Sequence, residues 1–170
     1  MIKQVFVKSS ELELTPTEQA AWGGFLAAHA FLVRQLDAEL QATHSLPLSS
    51  YDVLLFLAQA PGSRMRLSEL ADSVLLSLSG ISRLVDRLVR EGLIVREQST
   101  DDRRSNYAVL TDTGQTVLQE ARTTHLAGVR QRFLSRFTEA ELEQMAAFWP
   151  RLFDKSEEAA TKSKDEQASS

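Results

Sequence analysis

The chain has 170 residues, is 43% hydrophobic, contains no cysteine and carries a net charge of -4. That length suits one compact domain with extensions, and the missing thiols exclude disulfides, thiolate nucleophiles, thiol redox sensing and cysteine-based zinc sites. No apolar run approaches the roughly 20 residues that cross a bilayer, and residues 1–14 lack the apolar block of a secretory signal, so the expectation is a cytoplasmic protein with no membrane partner.

Thr15-Pro16-Thr17-Glu18 predicts a helix start: the threonine hydroxyl can accept from a free N–H, proline suits the first helical position, and Glu18 completes a capping box. Apolar residues then recur at Trp22, Phe25, Leu26, Leu32, Val33, Leu36 and Leu40. That helical spacing predicts a long helix from about Pro16 to Thr43, ended by Ser45-Leu46-Pro47. Ser49 reads as the cap of a second helix, with Asp52 near its start and a dense apolar block from Val53 to Leu57 that demands burial on more than one side. Pro61-Gly62 breaks that helix, residues 64–66 form a short extended piece, and Leu67-Ser68-Glu69-Leu70-Ala71 opens a third helix. A turn over residues 74–80 leads into a fourth helix reaching about Glu91. Its apolar positions are Leu78, Ile81, Leu84, Val85 and Leu88, its other face carries Ser79, Ser82, Arg83, Asp86, Arg87 and Arg90, and Gly92 is placed to stop it. Residues 93–98 and 106–110 are β-rich runs around the charged loop 99–105, which predicts a hairpin with a projecting flap. A fifth helix is expected over roughly 112–136. A second capping box at Thr138 to Glu141 opens a sixth, which Pro150 should kink or interrupt. The polar stretch from Asp154 is expected to be a disordered tail.

The fold class expected is therefore mostly α, an α+β winged helix of six helices with a small β-hairpin wing. Helix, helix, turn, helix and hairpin between Ser49 and Leu110 is the winged-helix order, and it suits double-stranded DNA. A helix fits the major groove, short polar side chains at its N-terminal end reach base edges, and arginines reach phosphates or guanines. Residues 61–110 hold eight arginines and no lysine against seven acidic residues, so the acidic excess of the chain lies elsewhere. Arginine's planar fork can bind phosphate or guanine bidentately, which an ammonium cannot.

In Leu67-Ser68-Glu69-Leu70-Ala71, the run from Ser82 to Ile94, and Asp102-Arg103-Arg104 followed by Leu110-Thr111 and Gly114, the chain resembles the MarR family of bacterial regulators. The resemblance spans roughly residues 16–153. It implies an interlocked helical homodimer, each subunit offering one winged helix to a palindromic site. Independently, the outer helices have more apolar surface than one small winged helix can cover. The organisation expected is a first dimerisation helix within 1–48, a DNA-binding lobe at 49–111, further dimerisation helices at 112–153 and the tail at 154–170. By the same resemblance Arg104 is the wing-tip arginine that enters the minor groove, Arg103 a phosphate contact, and Asp102 with Arg96 structural companions of the wing. Ser68, Ser77, Ser79, Ser82 and Arg83 fall where the family meets DNA, and Arg87 further along the helix.

Trp22, Phe25, His29, Asp52 and Phe56 are candidates for an effector pocket between the helical frame and the DNA-binding lobe, a region where family members bind small aromatic or phenolic anions. Aromatic residues at such helical spacing are more often plain core. Trp22, Asp52, Arg83 and Arg96 also occupy positions comparable to those of the urate-responsive subgroup, although Trp22 lies in the long first helix rather than on an additional one. Lack of cysteine departs from the peroxide-sensing branch. His29, His44 and His125 form no metal-ligand spacing, and no nucleophile–base pair or phosphate loop is present, so no cofactor, metal or enzymatic activity is expected. The function expected is a repressor that releases its operator when an effector re-spaces the two DNA-binding lobes; the alternative is a winged helix used only for protein association.

Overall fold

The computed structural model describes residues 13–74, 76–98 and 106–152. Six α-helices occur among them: α1 (Pro16–His44), α2 (Leu48–Gln59), α3 (Leu67–Ser73), α4 (Leu78–Arg90), α5 (Asp112–Arg132) and α6 (Glu139–Phe148). Three strands, β1 (Arg64–Arg66), β2 (Ile94–Gln98) and β3 (Asn106–Leu110), pair antiparallel in the order β1-β3-β2. The short extended piece before α3 is thus a third strand, with Arg66 opposite Tyr107 and Met65 opposite Ala108. β2 and β3 form the predicted hairpin, Ile94 opposite Leu110 and Gln98 opposite Asn106. The wing residues Asp102, Arg103 and Arg104, and the polar stretch from Asp154, lie outside the described residues.

Both capping boxes form. Thr15 accepts the Glu18 N–H and Thr138 that of Glu141, while each glutamate carboxylate accepts the N–H of its threonine. The second helix starts differently from the expectation. Ser49 does not cap it; the helix begins at Leu48, whose N–H donates to Asp37 Oδ1 of α1 at 2.8 Å. A carboxylate eleven residues back thus satisfies a group that a local cap would serve. Asp52 accordingly lies beyond the first turn. The fifth helix is also shorter than expected. It ends at Arg132, and Leu134–Arg136 turns as a 3-10 helix. There Phe133 and Phe137 meet edge to face, ring centroids 5.2 Å apart. At Pro150 the sixth helix gives way to a 3-10 turn, Trp149–Leu152.

The chain divides into two compact units, Met1–Val129 and Arg130–Ser170. The core of the first gathers Leu40 of α1, Tyr51, Val53, Leu54 and Leu57 of α2, Leu70 of α3, Ile81, Val85 and Leu88 of α4, Ile94 and Ala108 of the sheet, and Leu118 of α5. Burial of the apolar block of α2 on several sides explains its composition. Two glycines allow close approaches in this unit. A Cβ on Gly114 would collide with the Leu93 carbonyl, and one on Gly128 with Leu36 and Glu39 of α1. The second unit buries no side chain of α6 and exposes Phe148, Trp149 and Leu152.

Candidate nucleic-acid interface

α3 ends at Ser73 and α4 begins at Leu78, the helix-turn-helix order that places α4 for contact. Ile81, Val85 and Leu88 bury one stripe of α4. The opposite face holds Ser79, Arg83, Asp86 and Arg90, all exposed. Ser77 caps the helix, its hydroxyl accepting the Gly80 N–H at 3.1 Å and lying 3.2 Å from that of Ser79. Arg83 projects with no hydrogen-bond or ion-pair partner among the described residues. Gly92, at a φ of 74°, turns the chain from α4 into β2.

The β2 strand is tied to α4 by Arg96. Its Nη2 donates to the Ser82 carbonyl at 3.2 Å and to the Ser82 hydroxyl at 3.0 Å, and pairs with Asp86 Oδ1 at 2.8 Å. Three acceptors one helical turn apart on a single helix fix the angle at which the wing leaves α4. Ser82 is thereby drawn toward the wing, whereas Ser79 and Arg83 face outward. Arg87 takes a third direction. It donates to the hydroxyl of Ser50, a buried polar group of α2, and its Nε lies 3.9 Å from Glu91. Its guanidinium therefore serves the packing of α4 on α2.

A feature not singled out from the sequence surrounds Tyr107 on β3. Arg64 lies over its ring, 4.6 Å from the centroid, and Arg66 at 5.6 Å, with Arg66 Nε donating to the phenol oxygen at 2.9 Å. Arg64 also pairs with Glu97 of β2 at 3.6 Å. The signal was Arg64-Met65-Arg66 itself, since alternation in a strand puts both arginines on one face with Met65 turned inward. Arg66, Ser68, Leu78, Ser82, Arg96 and Asn106 border a cleft of about 290 Å³ between the start of α3, the start of α4 and the wing strands.

The wing motif has a local physical basis. Thr111 donates its hydroxyl proton to the Gly92 carbonyl at 2.8 Å and accepts the Gly114 N–H at 3.0 Å, so one side chain closes the turn after α4 and caps α5. Gly114 is required where α5 passes the Leu93 carbonyl.

Residues 44–105 match the model of the MarR family. The MarR family regulator Sco3205 of Streptomyces coelicolor, solved in complex with DNA, superposes with a TM-score of 0.78 at 32% identity, covering 84% of this chain and 92% of that one. The chain belongs to the MarR family. A second MarR family regulator of Streptomyces coelicolor, AbsC, has a TM-score of 0.75 and 33% identity, with coverage of 82% and 95%. Among curated relatives the transcriptional repressor MdtR of Bacillus subtilis is 34% identical over 82 residues, 48% of this chain and 52% of that protein. The chain thus spans about half the length of the curated relatives it matches, from 44% to 60%. These MarR relatives are transcriptional regulators, and the α+β winged helix is their fold.

The candidate effector residues lie on two helices of the first unit. Trp22, Phe25 and His29 form a stacked ladder along α1, with ring centroids 5.9 and 6.4 Å apart. Asp52 and Phe56 sit one turn apart on α2, both half-buried. Burial pushes the Asp52 carboxyl above its ordinary value. Beside it the Tyr51 ring stacks on His125 of α5 at 4.5 Å, and burial holds that imidazole below 6.5. His44 is hydrogen-bonded to Thr124 at 2.8 Å. Among the described residues no group of three His, Asp or Glu is placed to hold a metal ion, and no helix is long and apolar enough to cross a membrane.

Proposed function

We propose that this chain is a cytoplasmic transcriptional repressor that binds a pseudo-palindromic operator in double-stranded DNA as a homodimer. The observation that carries the reading is the outward face of α4, where Ser79, Arg83 and Arg90 stand exposed beside a wing held in place by Arg96. It is supported by the likeness to Sco3205, whose structure contains DNA. Ser77, Ser79, Ser82 and Arg83 are assigned to the major groove, with Ser68 at the phosphate backbone. Arg103 and Arg104 are assigned to the wing's contacts with phosphate and minor groove. Arg87 and Arg96 act through the packing of α4.

Exposed apolar surface supports the dimer. Trp22, Phe25, Leu26 and Val33 of α1 and Leu126 of α5 stand more than 40% exposed in the first unit, as do Phe148, Trp149 and Leu152 in the second. Residues 1–48 and 112–153 are accordingly assigned to dimerisation and 49–111 to DNA. Two α4 helices about one DNA turn apart, roughly 34 Å, would read the two half-sites. The ladder of Trp22, Phe25 and His29, with Asp52 and Phe56, is assigned to a small aromatic anion whose binding favours the conformation that misses its grooves.

The test is electrophoretic mobility of DNA from upstream of the gene at increasing salt. Affinity should fall steeply with salt, and Arg104→Ala should weaken binding with the melting temperature unchanged. Absence of salt-sensitive binding would leave the winged helix to protein association.

A further inference from the structure

α4 carries one side chain that its own amphipathic pattern does not explain. Leu78, the first residue of the helix, is 61% exposed, although Ile81, Val85 and Leu88 beyond it are completely buried. It stands at the start of the helix and borders the cleft whose other walls include Arg66, Ser68, Ser82 and Asn106. Leu76, just before the cap, is 39% exposed as well. An exposed leucine amid arginines and hydroxyls gains nothing from water and cannot bind a phosphate. The polar groups beside it are partly committed. The Ser77 hydroxyl caps Gly80 and lies within hydrogen-bond distance of the Ser79 hydroxyl, and Ser82 accepts from Arg96. The first residue of a recognition helix meets base edges, and in the major groove one base-pair feature is apolar, the 5-methyl group of thymine.

We propose that Leu78 is a specificity-determining residue that packs on a thymine 5-methyl group in each operator half-site, so that the chain reads methyl groups beside the hydrogen-bond code read by Ser79 and Arg83. The proposal rests on the DNA-binding reading and deepens it. A 5-methylcytosine presents the same group at the same ring position, so methylation of a cytosine at that step would substitute for thymine.

The test uses the full chain and the duplex it selects from a randomised library. Each thymine is replaced in turn by deoxyuridine, which removes only the methyl group. At one symmetry-related position the wild type should lose about fourfold in affinity per half-site, and about fifteenfold when both are replaced, as expected for burial of one methyl group at each. Leu78→Ala should bind the thymine duplex weakly by the same factor and be indifferent to the uracil substitution. Leu78→Met, which keeps an apolar reach, should retain the preference. Because Leu78 is exposed, both variants should melt with the wild type. Two results overturn the proposal while leaving DNA binding intact: no thymine whose methyl group matters, or an unchanged methyl preference in Leu78→Ala. Failure to select any duplex overturns the proposal and the regulator reading together.

Discussion

Replacing Arg96 by alanine removes the clamp between β2 and α4 and separates fold from function. The lost interactions are two hydrogen bonds to Ser82 and the 2.8 Å ion pair with Asp86, whose side chain is 58% exposed. Solvent screening limits that ion pair to well under ~1 kcal/mol, and the two hydrogen bonds contribute about 1 kcal/mol together once desolvation is offset. A total of ~1–2 kcal/mol corresponds to a drop in melting temperature of about 2–8 °C for a chain of this size. DNA affinity should fall as well, about tenfold or more, because a wing released from α4 must be re-ordered on each binding event. Arg96→Lys should behave like the alanine variant, since an ammonium on a flexible stem does not reproduce the planar fork. The assays are thermal denaturation and fluorescence anisotropy with labelled operator, run on the single variants and on Arg96→Ala combined with Asp86→Ala. The double-mutant cycle should show coupling between Arg96 and Asp86 that accounts for the smaller part of the loss, since the two hydrogen bonds to Ser82 outweigh the screened ion pair. An affinity unchanged within about twofold despite a lower melting temperature would refute the positioning role.

Arg83→Ala should change the ranking among operator variants as well as overall affinity, and a uniform loss would reassign Arg83 to the phosphate backbone. Gly114→Ala should cost about 1–3 kcal/mol through collision with the Leu93 carbonyl, read as a lower melting temperature. His125 gives a pH dependence of definite sign. Burial lowers its folded pKa below 6.5, so the fold favours the neutral ring. Its contribution is present above pH 6.5 and is lost as the pH falls below that value toward the folded pKa. Melting temperature should therefore decline on acidification through that window, and His125→Gln should show the smaller decline.

Much of the fold was legible because its signals are local. A capping box acts over three residues, so Thr15 with Glu18 and Thr138 with Glu141 could be read directly and both form. Gly92 and Pro61-Gly62 marked turns through backbone preference, and the β-rich runs 93–98 and 106–110 around a charged loop marked the hairpin. The polar face of α4 was also visible, because helical periodicity alone assigns Ser79, Arg83 and Arg90 to one side.

What the tertiary structure decided is which polar groups on that periodic surface are already taken. Arg83 and Arg87 look alike in a helical pattern, yet Arg87 turns to Ser50 because α2 buries a hydroxyl that needs a partner. Ser49 has the chemistry of a cap, but Asp37 reaches the start of α2 from the preceding helix. Arg64 and Arg66 became a cradle for Tyr107 only when β1 joined β3 across more than forty residues, Arg66 and Tyr107 being separated by 41. Residue type and spacing determine a helix, its cap and its apolar stripe, since those depend on neighbours within one turn. Whether an arginine clamps, cradles or projects depends on groups brought close only by folding, where hydrogen-bond satisfaction and burial choose among side chains that the local pattern leaves equivalent.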